Sequence, residues 1–223
     1  MQKLKILTFA ALVKDTQKIP LADLTMELPL MEEFNTIQGE GEHTGKAAYF
    51  IRLAGCDVGC VWCDVKDSWD ALKHNVKGVD GMVQNAQNSG SDIVVITGGE
   101  PAMYNLEYLT NSLNQVGLKT HIETSGVYEL TGSWHWICFS PKKFKAPHES
   151  VYEKADELKV IVYNKSDFEF AEEHAKHVRK DCKLLLQPEW SKINIVLPLI
   201  TAYVKENPKW KISLQTHKYM GIP

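Results

Sequence analysis

Short apolar runs rich in β-branched residues alternate along the chain with segments of helical spacing. "AYFIRL" (48–53), "DIVVIT" (92–97), "THIET" (120–124), "WICFS" (136–140), "LKVIVY" (158–163), "KLLLQ" (183–187) and "KISLQT" (211–216) read as strands. Between them, "NLEYLTNSLNQVG" carries Leu106, Leu109, Leu113 and Val116 at helical spacing and closes on Gly117. "SDFEFAEEHAKHV" predicts a helix capped by Ser166 or Asp167, and "INIVLPLITAYVKENP" a further helix that Pro198 should bend or end early. Strands alternating with helices imply parallel pairing through right-handed crossovers, hence an α/β fold. Too few strands are present for a complete eight-stranded barrel, so the expectation is a partial parallel βα barrel. No internal repeat and no low-complexity linker interrupts the pattern.

In such folds ligands gather at the carboxyl ends of the strands, and the unusual residues fall there. "GCDVGCVWCD" follows the first predicted strand, "GGEP" the second, "SG" the third, "SPK" the fourth and "QP" the sixth. One cleft could collect them all.

Composition narrows the chemistry. The chain has 223 residues, is 44% hydrophobic and 24% charged, and carries a formal charge of -3, which suits one folded core without a basic footprint for nucleic acid or a membrane surface. No stretch approaches the roughly 18 apolar residues that span a bilayer. "MQKLKILTFAALVK" imitates a short signal peptide, but its apolar run is short and no A-x-A-like cleavage site follows. We therefore expect an N-terminal extension over residues 1–30 of a cytoplasmic protein and one domain over 31–223. In a reducing compartment, clustered cysteines point to metal or redox chemistry rather than disulfides.

Cys56, Cys60 and Cys63 have the spacing C-x3-C-x2-C, suited to one loop wrapped around one inorganic centre. A 4Fe-4S cluster ordinarily takes four cysteines, so three would leave one iron open. Structural zinc and three unrelated loop cysteines are the alternatives, and for zinc no paired fourth ligand is evident. Cys138 and Cys182 lie in or beside apolar runs and read as inert buried residues. "IQGEG" lacks the lysine of a phosphate loop and suits hydrogen bonding to a flat heterocycle.

"CDVGCVWC", followed after a helix and strand by "GGEP", resembles the radical S-adenosylmethionine (radical SAM) superfamily. The likeness implies that S-adenosylmethionine chelates the open iron and is cleaved to a 5′-deoxyadenosyl radical. More narrowly, "FNTIQGEGEHTGKAAYFIRLAGCDVGCVWCD", "VITGGEP", "IETSG", "SPK", "LQP" and "QTHKY" are similar to the 7-carboxy-7-deazaguanine synthase family over about residues 31 to 223. That family converts 6-carboxy-5,6,7,8-tetrahydropterin to 7-carboxy-7-deazaguanine with loss of ammonia, in queuosine precursor synthesis. It uses the cluster, S-adenosylmethionine and Mg2+, and it forms homodimers. A reducing donor such as flavodoxin or ferredoxin is implied as well. A glycyl-radical activating enzyme of the same superfamily and a non-catalytic zinc-binding module are the rival readings.

The resemblance assigns Ile37, Gln38, Gly39, Arg52, Thr97, His217 and Pro223 to the pterin substrate. It assigns Trp62, Cys63, Asp64, Gly99, Ser140, Pro141, Lys142 and Gln187 to S-adenosylmethionine, with Glu123 a further cleft group. Arg52, a guanidinium in an apolar strand, needs a carboxylate, supplied either by the substrate or by an internal salt bridge. One departure stands out: many relatives have "CDT", whose threonine ligates Mg2+, where this chain has "CDV". Val65 offers no side-chain oxygen, so the metal's protein ligand is open.

Overall fold

A computed structural model describes residues 26–223. The expected signal-peptide mimic, and most of the expected N-terminal extension, lie outside the described residues. Nine strands form one sheet: β1 (Glu27–Ile37), β2 (Ala47–Leu53), β3 (Val76–Gly78), β4 (Ile93–Gly98), β5 (Lys119–Thr124), β6 (Trp136–Phe139), β7 (Glu157–Val162), β8 (Lys183–Pro188) and β9 (Trp210–Ile212). Their order is β3-β1-β2-β4-β5-β6-β7-β8-β9. From β2 to β9 every neighbour pairs in parallel, whereas β1 is antiparallel to both β2 and β3. The edge strands β3 and β9 do not pair, so the sheet is an open, partial βα barrel.

The helices are α1 (Val79–Asn88), α2 (Glu107–Gln115), α3 (Val151–Lys154), α4 (Ser166–Ala175), α5 (Ile193–Glu206) and α6 (Thr216–Met220). Alternation along each strand sends one set of side chains toward the helices and the other into the barrel. Ile51, Leu53, Val94, Ile96, Ile122, Leu158, Val160 and Leu186 belong to the outer set and pack with Met82, Leu109, Leu113, Ala171 and Ile200 in the main core. Phe50, Arg52, Val95, Thr97, His121, Glu123, Cys138, Lys159 and Gln187 occupy the other face. Parallel register keeps like with like: Arg52 is opposite Thr97, Val95 opposite His121, and Glu123 opposite Cys138.

Three expectations are corrected. The antiparallel pair β1 and β3 was not anticipated, because "ELPLMEEFNTI" holds Pro29 and adjacent acids without clean alternation. β1 begins at Glu27, and its Leu28 is fully buried. Pro198 does not end its helix: it sits exposed within α5. α4 is preceded by Lys165 at the cap position, and Asn164 Oδ1 accepts the Ser166 N–H at 2.9 Å, while Asp167 turns back to accept the N–H groups of Tyr163 and Asn164 at 2.7 and 2.8 Å.

Candidate active site

One cleft opens at the carboxyl ends of the parallel strands. Cys56, Cys60 and Cys63 line it together with Gly99, Ser140, Lys142 and Gln187 from the ends of β4, β6 and β8. All described cysteines are free thiols, and Cys138 and Cys182 are buried outside this lining at 2% and 7% exposure.

The cysteine loop is tied down from several sides. Cys63 N–H donates to the Cys60 carbonyl at 3.1 Å, Cys56 N–H to Trp69 and Gly55 N–H to Ser68. Asp57 accepts from Lys145 Nζ at 2.7 Å and from the Tyr128 hydroxyl, which anchors the loop to the segments after β5 and β6. Burial raises the Asp57 pKa, but these two partners reverse that and hold it low. Desolvation lifts Cys56 and pushes Cys60 up to about 11.

"GGEP" owes its glycines to this loop. A β-carbon on Gly98 would lie 2.0 Å from the Leu53 carbonyl oxygen, and its φ of +146° favours glycine in any case. Gly99 N–H donates to Leu53 and Glu100 N–H to Gly55, locking the β4 end beneath the cysteines. Glu100, 2% exposed, accepts from Ala102 N–H, Thr124 Oγ1 and both donors of Ser125, so it fastens β4 to β5 at the cleft wall.

The opposite wall comes from the β1–β2 loop, the inner barrel face and the C-terminal segment. Ile37, Gln38, Gly39, Arg52, Thr97, His217 and Pro223 all line the cleft. His217 stands in α6 rather than at a strand end, since β9 stops at Ile212. Thr216 N–H and Oγ1 both donate to the Gly39 carbonyl at 2.9 Å, and Thr36 Oγ1 to the Pro223 carbonyl at 3.3 Å, strapping the C-terminus over the site. Burial lowers the His217 pKa, keeping its ring neutral near pH 7.

Arg52 forms the internal salt bridge and also faces the cleft. Its Nε donates to Glu32 Oε1 at 2.7 Å, and its side chain still lines the cleft. Glu32 is 45% exposed, and a pair so open to water contributes little. Trp62, Cys63 and Asp64 also line the cleft; Pro141 does not, being buried behind it. Lys142 Nζ donates to the Ser140 carbonyl and Oγ at 2.6 Å each and lies 5.8 Å from the Trp62 ring centre.

A chain of polar groups crosses the floor, and of its members Lys159, Glu40 and Gln215 were missed on sequence. Lys159, 3% exposed, donates to Glu40 Oε2 at 2.7 Å and to Glu123 Oε2 at 2.6 Å. The available signal was a lysine within an apolar strand, "LKVIV", which burial forces to find a partner. Oxygens of Glu123 and Glu157 and the Cys138 sulfur approach one another within 4.8 Å, and the Lys159 ammonium pairs with Glu123 at the edge of this group.

Comparison with known proteins decides the identity. Residues 50–133 match the model of the radical SAM superfamily. The 7-carboxy-7-deazaguanine synthase of Flavobacterium psychrophilum is 59% identical over 196 residues, covering 88% of this chain and 93% of that protein. The protein of the same name from Synechocystis is 44% identical, covering 91% and 98%.

The chain belongs to the 7-carboxy-7-deazaguanine synthase family.

The crystal structure of QueE from Escherichia coli, 32% identical, superposes with a TM-score of 0.76 over 86% of this chain and 95% of that one. Membership in a radical SAM family brings a 4Fe-4S cluster and S-adenosylmethionine with it, and the residues present fit: three thiols on one anchored loop face one cleft, and no fourth described cysteine joins them. The donors near Val65 fit Mg2+ less well. Val65 lines the cleft with an aliphatic side chain, and Asp64 Oδ2 is bridged to Lys218 Nζ at 3.0 Å.

Proposed function

We propose that this chain converts 6-carboxy-5,6,7,8-tetrahydropterin to 7-carboxy-7-deazaguanine with release of ammonia, in queuosine precursor synthesis. The observation that supports it is a single cleft shared by Cys56, Cys60 and Cys63 and by Gln38, Arg52 and Glu123, groups suited to a carboxylated flat heterocycle. When bound, the reduced cluster and S-adenosylmethionine supply the 5′-deoxyadenosyl radical, and the protein supplies orientation and exclusion of water.

Cys56, Cys60 and Cys63 would hold the cluster. Trp62, Asp64, Gly99, Ser140, Lys142 and Gln187 would hold S-adenosylmethionine, with the Lys142 ammonium the cation for its carboxylate and Pro141 shaping the turn behind. Arg52 would receive the pterin carboxylate on the guanidinium nitrogens that Glu32 leaves, since Glu32 engages Nε. Gln38, Gly39, Ile37 and Thr97 would line the ring, and neutral His217 with the Pro223 strap would close over it.

Mg2+ binding belongs to the same reading, through substrate oxygens and water with at most one or two protein oxygens, as this ion commonly binds. We further assign a homodimer in the cytoplasm, reduced by a flavodoxin or ferredoxin, with residues 31–223 as the catalytic domain and β1 extending it to Glu27. No helix among the described residues is long and apolar enough to cross a membrane.

The test is anaerobic reconstitution with iron and sulfide, reduction, and incubation with S-adenosylmethionine and the carboxypterin. Formation of 7-carboxy-7-deazaguanine is expected. A cluster-loaded protein that cleaves S-adenosylmethionine yet leaves the pterin unchanged would refute the reading, and a colourless zinc protein would refute the cluster.

A further inference from the structure

The inner face of the barrel buries an ammonium where apolar packing would serve stability equally well. Lys159 projects from the middle of β7 with 3% of its side chain exposed. Its Nζ lies 2.7 Å from Glu40 Oε2, in the β1–β2 loop, and 2.6 Å from Glu123 Oε2, at the end of β5. The other oxygens are also held: Glu123 Oε1 accepts from Gln38 Nε2 at 3.3 Å, and Glu40 Oε1 from Gln215 Nε2 at 2.8 Å. The result is a continuous chain, Gln38–Glu123–Lys159–Glu40–Gln215, linking four separate segments, and all five residues line the same cleft as the cysteines.

Desolvation and stability pull the wrong way for a purely structural device. Replacing a buried ion pair by apolar groups of similar size is often neutral or stabilising. What such a chain offers is direction. Each carboxylate oxygen can accept more than one hydrogen bond, and those not used by the lysine and the amides are available to the cleft. The ammonium also lets two acids stand close together as anions: burial works against ionisation of Glu40, but the charge and hydrogen bond of Lys159 overcome it and hold the acid at about 2. Burial likewise opposes the charge of Lys159, and the surrounding Cys138, Glu123, Glu40 and Glu157 raise it well above the ordinary lysine range.

We propose that Lys159 is a positioning residue that holds Glu40 and Glu123 as a preorganised pair of acceptors, so that the cleft selects heterocycles with the 2-amino-4-oxopyrimidine edge. This rests on the pterin reading above. That edge presents an exocyclic amino group beside a ring N–H, two adjacent donors that an ionised carboxylate accepts together, and then an oxo acceptor that the Gln38 amide can meet. A 2,4-diamino ring replaces the oxo group by a donor and loses the ring N–H, so it meets the same wall with mismatched groups, which buried polar sites penalise heavily.

The experiment uses the full-length, cluster-loaded protein with S-adenosylmethionine bound, and titrates calorimetrically a 2-amino-4-oxo pterin and its 2,4-diamino analogue. The parent should prefer the oxo form. Lys159→Met should weaken oxo-pterin binding on the order of tenfold to a hundredfold, the loss of one hydrogen bond to a charged group, and should collapse the preference between the two ligands. Iron content is the control, because Lys159 is not among the cluster thiols. A structural role would lower the melting temperature and leave the selectivity ratio unmoved. Should Lys159→Met fail to fold, Glu40→Gln, which keeps size and removes one acceptor charge, carries the same expectation. Either folded variant keeping the parent's affinity and preference overturns the proposal. A parent that binds the oxo pterin selectively but never converts it would overturn the pterin-to-deazaguanine reading and leave the role of Lys159 standing.

Discussion

Gly99 packs against Gly55 so closely that a β-carbon on Gly99 would lie 2.2 Å from the Gly55 carbonyl oxygen and 2.8 Å from Cys56 Cβ. The turn after β4 and the cysteine loop are therefore one packed unit. Gly99→Ala should push them apart at a cost of about 1–3 kcal/mol, typical of overpacking. Reduced iron retention and a lower melting temperature are expected together, and a variant holding a full cluster with parent stability would show that the loop can yield without consequence.

Cys56→Ala, Cys60→Ala and Cys63→Ala should each abolish cluster assembly, whereas Cys138→Ala and Cys182→Ala should keep it. Only the first three share the cleft. Iron and sulfide analysis of all five variants is the measurement, and loss of iron from Cys138→Ala would contradict the assignment.

Arg52→Lys should weaken binding of the carboxypterin by about 1–3 kcal/mol, because lysine cannot reproduce a two-pronged hold on a carboxylate. Glu32→Gln provides the contrast. It removes only the half-exposed partner of Nε, so its effect should stay within about 1 kcal/mol. Equal losses in both variants would return Arg52 to a structural role.

Val65→Thr should lower the Mg2+ concentration needed for half-maximal activity, since it is nearly isosteric and places a hydroxyl at the cleft. Metal-stripped protein would be titrated with Mg2+ against Na+ at equal ionic strength. If parent and variant are both indifferent to Mg2+, the ion has no part in this chain's reaction.

Stability should fall on the acid side of neutrality. Burial lowers His121 to about 3 and His174 to about 4, so the fold binds fewer protons there than the unfolded chain does. Their contribution is fully present above about pH 6.5 and is lost as pH falls toward those values, on the order of 1–2 kcal/mol per histidine by pH 5. Glu40, held at about 2, adds a second loss below about pH 4.5. Urea midpoints measured from pH 8 to pH 4 would show this decline, and His174→Phe should flatten its upper part.

Much of the barrel was legible because β2, β4, β5, β6, β7 and β8 coincide with apolar runs whose burial is imposed by helices on one side. β1 was not legible. Its "LPLMEEFNTI" interrupts alternation, and it becomes a strand because β2 offers a long edge and the Leu28 side chain enters the core. The full length of "KISLQT" also read as strand, yet only the register of β9 with Leu184 to Leu186 is paired, and the chain then turns into α6 to cover the cleft.

Sequence alone determined the groups that local spacing can encode. Cys56, Cys60 and Cys63 are separated by three and two intervening residues, so the loop keeps their thiols together, and the composition around them gave no sign of a disulfide scaffold. Tertiary structure decided what those thiols face. Lys159 and Glu40 are separated by 119 positions and meet only because the β1–β2 loop folds against β7. No pattern of period two or three to four residues carries information over that distance, and the choice of partner for a buried charge is made when the sheet closes over it.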